Sequence, residues 1–504
     1  LGRQMMTAGD PYGAADQLRA SLAANPDSAK TRADFAGLVA SLGMVRDAAE
    51  HLRWLLRRGK GGLNELIMLA DLSVPQTDAA ICNYALKQNP KDRRPLYPLA
   101  LTDALEGNWE QAAERLSEVT AAHPDFSPAW AFQGRVLVEL GRKDSLLRWL
   151  EKLPADSDQW IEYWLAAGHW AEKDGRPAAA ATAFWNAVQI DDAHGEALVH
   201  LAANLAQSGM TNQSKIIANR AADVNAMHDS IESLFSWRKN SQQAALEVAK
   251  AMKQLGRPWE AEAWARGSLV MTQQLEPDAR QTHQEFLKAL KSSTPWKDPE
   301  LSLTRQVDMS DAETFRWALE SQSASPSDSI ATDAIDDSSR GMRFEDQSNL
   351  RGLIHTCAIS QLESESSIAI YQSNAGAAGV IDFDLDGWPD VYLTMIDGQP
   401  LKNNSSPNRL FRNLSGQFAD VTIGSSVGDR GFSQGIAVGD YNADGFADLW
   451  VANIGRNQLY RNNGDGSCSD VTDEVGFSDQ QWTTSVAIAD FDGDSIADLF
   501  EVQY

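Results

Sequence analysis

Three nine-residue segments of this 504-residue chain carry oxygen-bearing side chains at positions 1, 3, 5 and 9. They are Asp382-Phe383-Asp384-Leu385-Asp386-Gly387-Trp388-Pro389-Asp390, Asp440-Tyr441-Asn442-Ala443-Asp444-Gly445-Phe446-Ala447-Asp448 and Asp490-Phe491-Asp492-Gly493-Asp494-Ser495-Ile496-Ala497-Asp498. Carboxylates crowded into one tight loop repel one another unless a cation neutralises them. Calcium, which takes about six to eight oxygens in a flexible shell, suits such a loop, and the carbonyl at position 7 adds one more ligand. The expected chemistry is calcium binding.

The elements holding the loops are legible on either side. Gly435–Gly439 and Ser485–Ala489 precede loops 2 and 3, while Val391–Leu393, Leu449–Val451 and Leu499–Val502 follow the three loops. These short β-branched and aromatic runs read as strands, so each loop reads as a hairpin connection. A second repeat runs out of phase with the first. Asn408-Arg409-Leu410-Phe411-Arg412-Asn413 recurs as Asn457-Gln458-Leu459-Tyr460-Arg461-Asn462, and Asp420-Val421-Thr422 recurs as Asp470-Val471-Thr472. A period near ~50 residues with about four strands per unit is the pattern of a β-propeller blade.

Residues 343–504 thereby resemble the FG-GAP/VCBS repeats of integrin α-type propellers. The interleaved motifs are similar to bacterial exported proteins that carry such repeats with an ASPIC/UnbV tail. The resemblance implies calcium ligands at Asp382, Asp384, Asp386 and Asp390, at Asp440, Asn442, Asp444 and Asp448, and at Asp490, Asp492, Asp494 and Asp498. It implies backbone carbonyl ligands from Trp388, Phe446 and Ile496. Loop 1, with four acids and Gly387 at the turn, is the strongest expected site. Asn442 removes a charge from loop 2, and Ser495 replaces the turn glycine in loop 3. Glu501, at position 12 of loop 3, imitates an EF-hand ligand, but Leu393 and Val451 hold that position in the other loops. Propellers close with about four to eight blades, and the chain starts at Leu1 within helical sequence and stops in the third unit. A fragment of a longer protein, with an open sheet edge, is therefore expected.

Upstream, Gly107, Gly141, Gly175 and Gly209 recur every 34 residues, and Gly9 and Gly43 share that spacing. Glycine ends one helix in the left-handed conformation. An alanine five residues later (Ala14, Ala48, Ala112, Ala180, and Ala261 after Gly256) lets the next helix approach closely. Pro26, Pro90 and Pro124 close second helices. With Trp130 and Gly134, Trp164 and Gly168, and Phe184 and Ala187 at the matching positions, residues 1–290 resemble tetratricopeptide repeats of about eight helix pairs. The resemblance implies an α-solenoid whose groove binds a protein or peptide. Trp109, Trp130, Trp164 and Trp185 are read as packing knobs between helices. Residues 291–342, rich in Ser and Asp, read as a flexible linker, with 311–319 compatible with a short helix.

The fold class is thus α then β: a solenoid, a linker, and a partial propeller. The formal charge of −26 argues against a nucleic-acid partner, and no apolar run approaches the ~20 residues of a membrane helix. Residues 341–504 hold 24 Asp and Glu against 8 Lys and Arg, a net of −16 of that total. Three scattered cysteines exclude a disulfide-dense scaffold. No nucleophile elbow, zincin motif or phosphate loop is present, and His355 and Cys357 stand apart from any such pattern. The expectation is a non-catalytic, extracytoplasmic interaction protein whose propeller takes a glycan or protein ligand. The alternatives are a propeller-based polysaccharide lyase or hydrolase with its active site elsewhere, and a cytoplasmic scaffold whose loops are ornamental.

Overall fold

In the computed structural model the described residues are 2–310, 315–317, 345–359, 370–373, 376–476, 481–491 and 496–504. Helices run from Gly2–Thr7 to Ala279–Ala289 and form the TPR-like solenoid. The spaced glycines do what their spacing predicts. Gly9, Gly43, Gly107, Gly141, Gly175, Gly209 and Gly256 have φ between 62° and 80°, each two residues beyond a helix end. At Gly141 the motif closes with Arg142 N donating to Leu137 O at 3.0 Å. Ala48, Ala112 and Ala180 are fully buried where helices meet. A Cβ on Gly134 would lie 2.2 Å from the Trp149 ring, and one on Gly168 would lie 2.5 Å from Phe184. Those two positions let the second helix of a pair bring in an aromatic ring. Trp130 and Trp185 are buried, and Trp109 and Trp164 pack on core clusters. The break in period after Gly209 is a single 26-residue helix, Thr211–Ser236.

The expected linker boundary at 291 needs correction. Pro299–Leu301 and Leu303–Gln306 form short helices that pack on the solenoid. Leu303 and Val307 are buried, and Arg220 Nη2 donates to Leu301 O at 2.5 Å. Trp317 Nε1 donates to Tyr163 Oη at 2.9 Å, so the first part of this segment is bound structure rather than free chain. The 311–319 stretch falls mostly outside the described residues, as does 318–344.

Among the described residues the β region contains ten strands: β1 (Ala378–Ile381), β2 (Asp390–Leu393), β3 (Arg409–Leu414), β4 (Gln417–Asp420), β5 (Ser433–Gly439), β6 (Asp448–Gly455), β7 (Gln458–Asn462), β8 (Cys468–Asp470), β9 (Gln481–Ala489) and β10 (Asp498–Gln503). β1 to β4 form one antiparallel meander and β5 to β8 a second. β9 and β10 begin a third unit, with β9 joining the far end of β6 through Ile454 and Gly455. Tyr392, Phe383, Phe432 and Trp450 fill the sheet interiors. Ala203 of the solenoid belongs to the same apolar cluster as Tyr392 and Leu410, so the helical and sheet regions share a core.

Candidate metal centre

Each Asp-rich loop joins the first two strands of its unit: β1 to β2, β5 to β6, and β9 to β10. The last aspartate of the loop is a clamp. Asp390 is fully buried and accepts from Phe383 N at 3.1 Å and from Asn413 N at 2.6 Å, tying its own loop to β3. Asp448 repeats this with Tyr441 N at 2.9 Å and Asn462 N at 2.8 Å. Asp498 accepts from Phe491 N at 2.9 Å. The first aspartate holds the turn: Asp382 accepts from Asp386 N and Gly387 N, both at 3.1 Å, and Asp440 from Asp444 N and Gly445 N. The turn takes positive φ at Leu385 (54°) and Gly387 (83°), and again at Ala443 and Gly445.

Backbone donors account for these oxygens. They leave Asp384 over. Its side chain is 6 % exposed, and Oδ1 has no hydrogen-bond partner. Asp382, Asp384 and Asp390 each offer a carboxylate oxygen, all within 4.8 Å of one another. Burial, reinforced by the Asp384 charge, pushes Asp386 up to about 7 and Asp390 up to about 8. Asp382 is also raised, first by burial. Arg412 offsets only part of this charge, pairing with Asp384 through Oδ2. A desolvated carboxylate with one oxygen unpartnered, beside two others, fits a hard divalent ion.

Loop 2 is arranged differently. Asn442 and Asp444 are exposed, and Asn442 Nδ2 donates to Asp444 Oδ2 at 2.7 Å, so an amide takes up part of the charge. Asp448 is raised by burial to about 6, less than Asp390. Of loop 3, Asp490, Ile496 and Asp498 are described, while Asp492 and Asp494 lie outside the described residues. Glu501 sits on β10 with Oε2 accepting from Asn457 Nδ2 at 2.8 Å, and strands flank the loop, so the EF-hand imitation ends at sequence. Trp388 and Phe446 occupy the position-7 sites, each with its N–H donating to the position-5 aspartate.

The out-of-phase motifs have matching roles. Asp420 Oδ1 accepts from Thr422 Oγ1 at 2.6 Å while Thr422 Oγ1 accepts from Leu410 N at 2.9 Å, and Asp470, Thr472 and Leu459 copy this. Asn413 and Asn462 donate from Nδ2 to Pro389 O and Ala447 O. The arginines face outward to the solenoid. Arg412 Nη2 lies 2.5 Å from Asp384 Oδ2, and Nη1 donates to Glu172 Oε1 at 2.8 Å. Sequence reasoning saw the repeated hexapeptide but gave Arg412 no part in the site. Its recurrence next to the position-9 clamp was the available signal.

Arg412 and loop 1 form one wall of a cavity of about 290 Å³ whose other wall is solenoid, including His169, Glu172, Glu196 and His200. Glu172 is buried, which alone would raise its pKa, yet Arg412 and His200 hold it well below the carboxylate range. His355 packs edge-on against Phe411, and Cys357 is exposed.

Residues 382–451 and 440–500 match the FG-GAP-like repeat family. This region is built of FG-GAP-like repeats. No curated protein matches the chain. Among solved structures, a thermophilic TPR protein of Thermus thermophilus is similar at 14% identity, covering 39% of this chain and 99% of that one, with a TM-score of 0.23. A tetratricopeptide repeat protein of Parabacteroides merdae is similar at 12% identity over 57% of this chain and 96% of that one, TM-score 0.23. Yeast Tom70 is similar at 14% identity over 56% and 59%, TM-score 0.23. Scores this low carry no argument, and the solenoid stands on its helix pairs and left-handed glycines. No helix among the described residues is long and apolar enough to cross a membrane.

Proposed function

We propose that this chain is a calcium-binding interaction protein, working outside the cytoplasm. The FG-GAP-like loops bind calcium as rigid corners of the sheet units, and the solenoid groove takes a protein or peptide partner. Both repeat types generally serve as non-catalytic scaffolds, and the sheet region offers its ligand, protein or glycan, a surface that calcium stiffens. The observation that carries the reading is Asp384, a carboxylate out of solvent with an unpartnered oxygen, beside Asp382 and Asp390. Sites of modest affinity fill at the ~millimolar calcium found extracellularly and stay mostly empty at cytosolic levels.

The test is calorimetric titration of the chelator-treated chain with calcium. The expected result is saturable binding that raises the unfolding temperature, with the tightest step lost in Asp384→Asn. No heat and no thermal shift at millimolar calcium overturns the proposal.

A further inference from the structure

The wall of the cavity opposite loop 1 holds a second cluster of metal-ligating groups, and none of it belongs to the Asp-rich loops. Helix Ile161–Lys173 carries His169 and Glu172 one turn apart, and helix Gly195–Gln207 carries Glu196 and His200 one turn apart. Side chains at those spacings project from one helix face. The fold brings the two faces together, with the His169 and His200 rings 4.5 Å apart between centroids. His169, Glu196 and His200 each offer one ligand atom, and the three atoms lie within 4.8 Å of one another. His169 and His200 are buried.

Two features suit this set to a metal ion. His169 Nε2 stands 2.8 Å from Glu196 Oε1, a nitrogen and a carboxylate oxygen converging on one point. Glu172 Oε2 lies 3.0 Å and Arg412 Nη1 3.1 Å from His200 Nδ1, so the ring is held in place from one edge, as the rings of metal-binding histidines are by their outer partners. Arg135 Nη2 pairs with Glu196 Oε1 at 2.6 Å and with Glu139 at 2.9 Å, so a metal at this point shares Glu196 with that guanidinium.

We propose that His169, Glu196 and His200 form a divalent transition-metal site on the solenoid, distinct from the calcium loops, with Glu172 as the positioning residue behind His200. Two imidazoles and one carboxylate select a zinc-like ion over calcium, which prefers all-oxygen shells. Zinc bonds of about 2.1 Å need only a modest closing of the present spread. Metal binding replaces the hydrogen that bridges His169 Nε2 and Glu196 Oε1, and the fourth position opens onto the cavity.

The test uses the full chain, stripped with chelator and titrated with Zn2+ in saturating Ca2+. One zinc per chain is expected, weakened about 100-fold or more by His169→Ala and by His200→Ala, in line with the loss of a ligand or of its orienting partner. Asp382→Asn is expected to lose calcium and keep zinc, so the two proposals fail separately. Co2+ serves as the second readout on the unaltered chain, where visible ligand-field absorption that Zn2+ displaces is expected. Absence of that band, absence of zinc heat, or zinc binding undiminished in both folded histidine variants each overturns the site.

Discussion

Arg412 and Arg461 stand at the same position of a repeated hexapeptide, and both leave their strands to pair with carboxylates of the solenoid. Arg412 on β3 reaches Glu172, 240 residues earlier in the chain, and Arg461 on β7 reaches Glu232, 229 residues earlier. One motif thus docks two successive sheet units onto the helices. The copies differ in burial. Arg412 and Glu172 side chains are 3% and 6% exposed, whereas Arg461 and Glu232 are 22% and 46% exposed.

Removing the buried arginine is expected to be costly. Arg412→Met leaves Glu172 and Asp384 desolvated without their cation, and losing one partner of a buried pair costs about 3–5 kcal/mol. Denaturant unfolding in chelator measures the loss. Calcium is expected to restore more stability to this variant than to the parent chain, because it takes over the charge of Asp384.

The exposed copy is expected to matter little. Arg461→Ala removes a pair that water already screens, and such pairs contribute about 0–1 kcal/mol. A destabilisation above ~2 kcal/mol in the same assay would show that the shared motif, and not burial, sets the strength of docking.

Local pattern explains what could be read beforehand. The loops sit at β hairpins because their flanking strands are short and β-branched, and the glycines sit at helix ends because only they accept positive φ there cheaply. What stayed hidden is non-local. Nothing near Arg412 in the chain names Glu172 as its partner, and His169 and His200 are ordinary helical positions until two helices meet. The polar sequence around 299–307 concealed packed structure because its buried apolar anchors are just Leu303 and Val307, helped by the Leu301 carbonyl that Arg220 holds. Glu501 misled for the opposite reason: its spacing fits a ligand, but its strand turns it to Asn457.

The position-9 aspartates hold backbone as well as charge, which separates their variants from those of Asp384. Asp390→Asn puts an amide NH2 against one of the two backbone donors, Phe383 N or Asn413 N. A buried donor left unsatisfied costs about 1–3 kcal/mol. That loss is expected in chelator, before any metal is added, and is read from the fluorescence of buried Trp450 during urea unfolding.

Asp229 gives the helix–sheet contact a pH dependence. It accepts from Ser469 Oγ of β8 at 2.7 Å, and burial, with Glu232 and Asp470 adding to it against Ser469 and His228, pushes its pKa from 3.8 up to about 6. A carboxyl raised on folding binds its proton more tightly in the folded state than in the unfolded one. Its contribution is therefore fully present below about pH 4 and is lost as pH rises through about 6. At neutral pH the ionised group costs the contact about 1–2 kcal/mol, allowing for its partial exposure. Asp229→Asn keeps the acceptor for Ser469 and removes the charge. The variant is expected to unfold at higher denaturant than the parent chain at pH 7.5, to match it near pH 4, and to flatten the slope between. An unchanged slope between pH 4 and 6.5 would place the titration elsewhere.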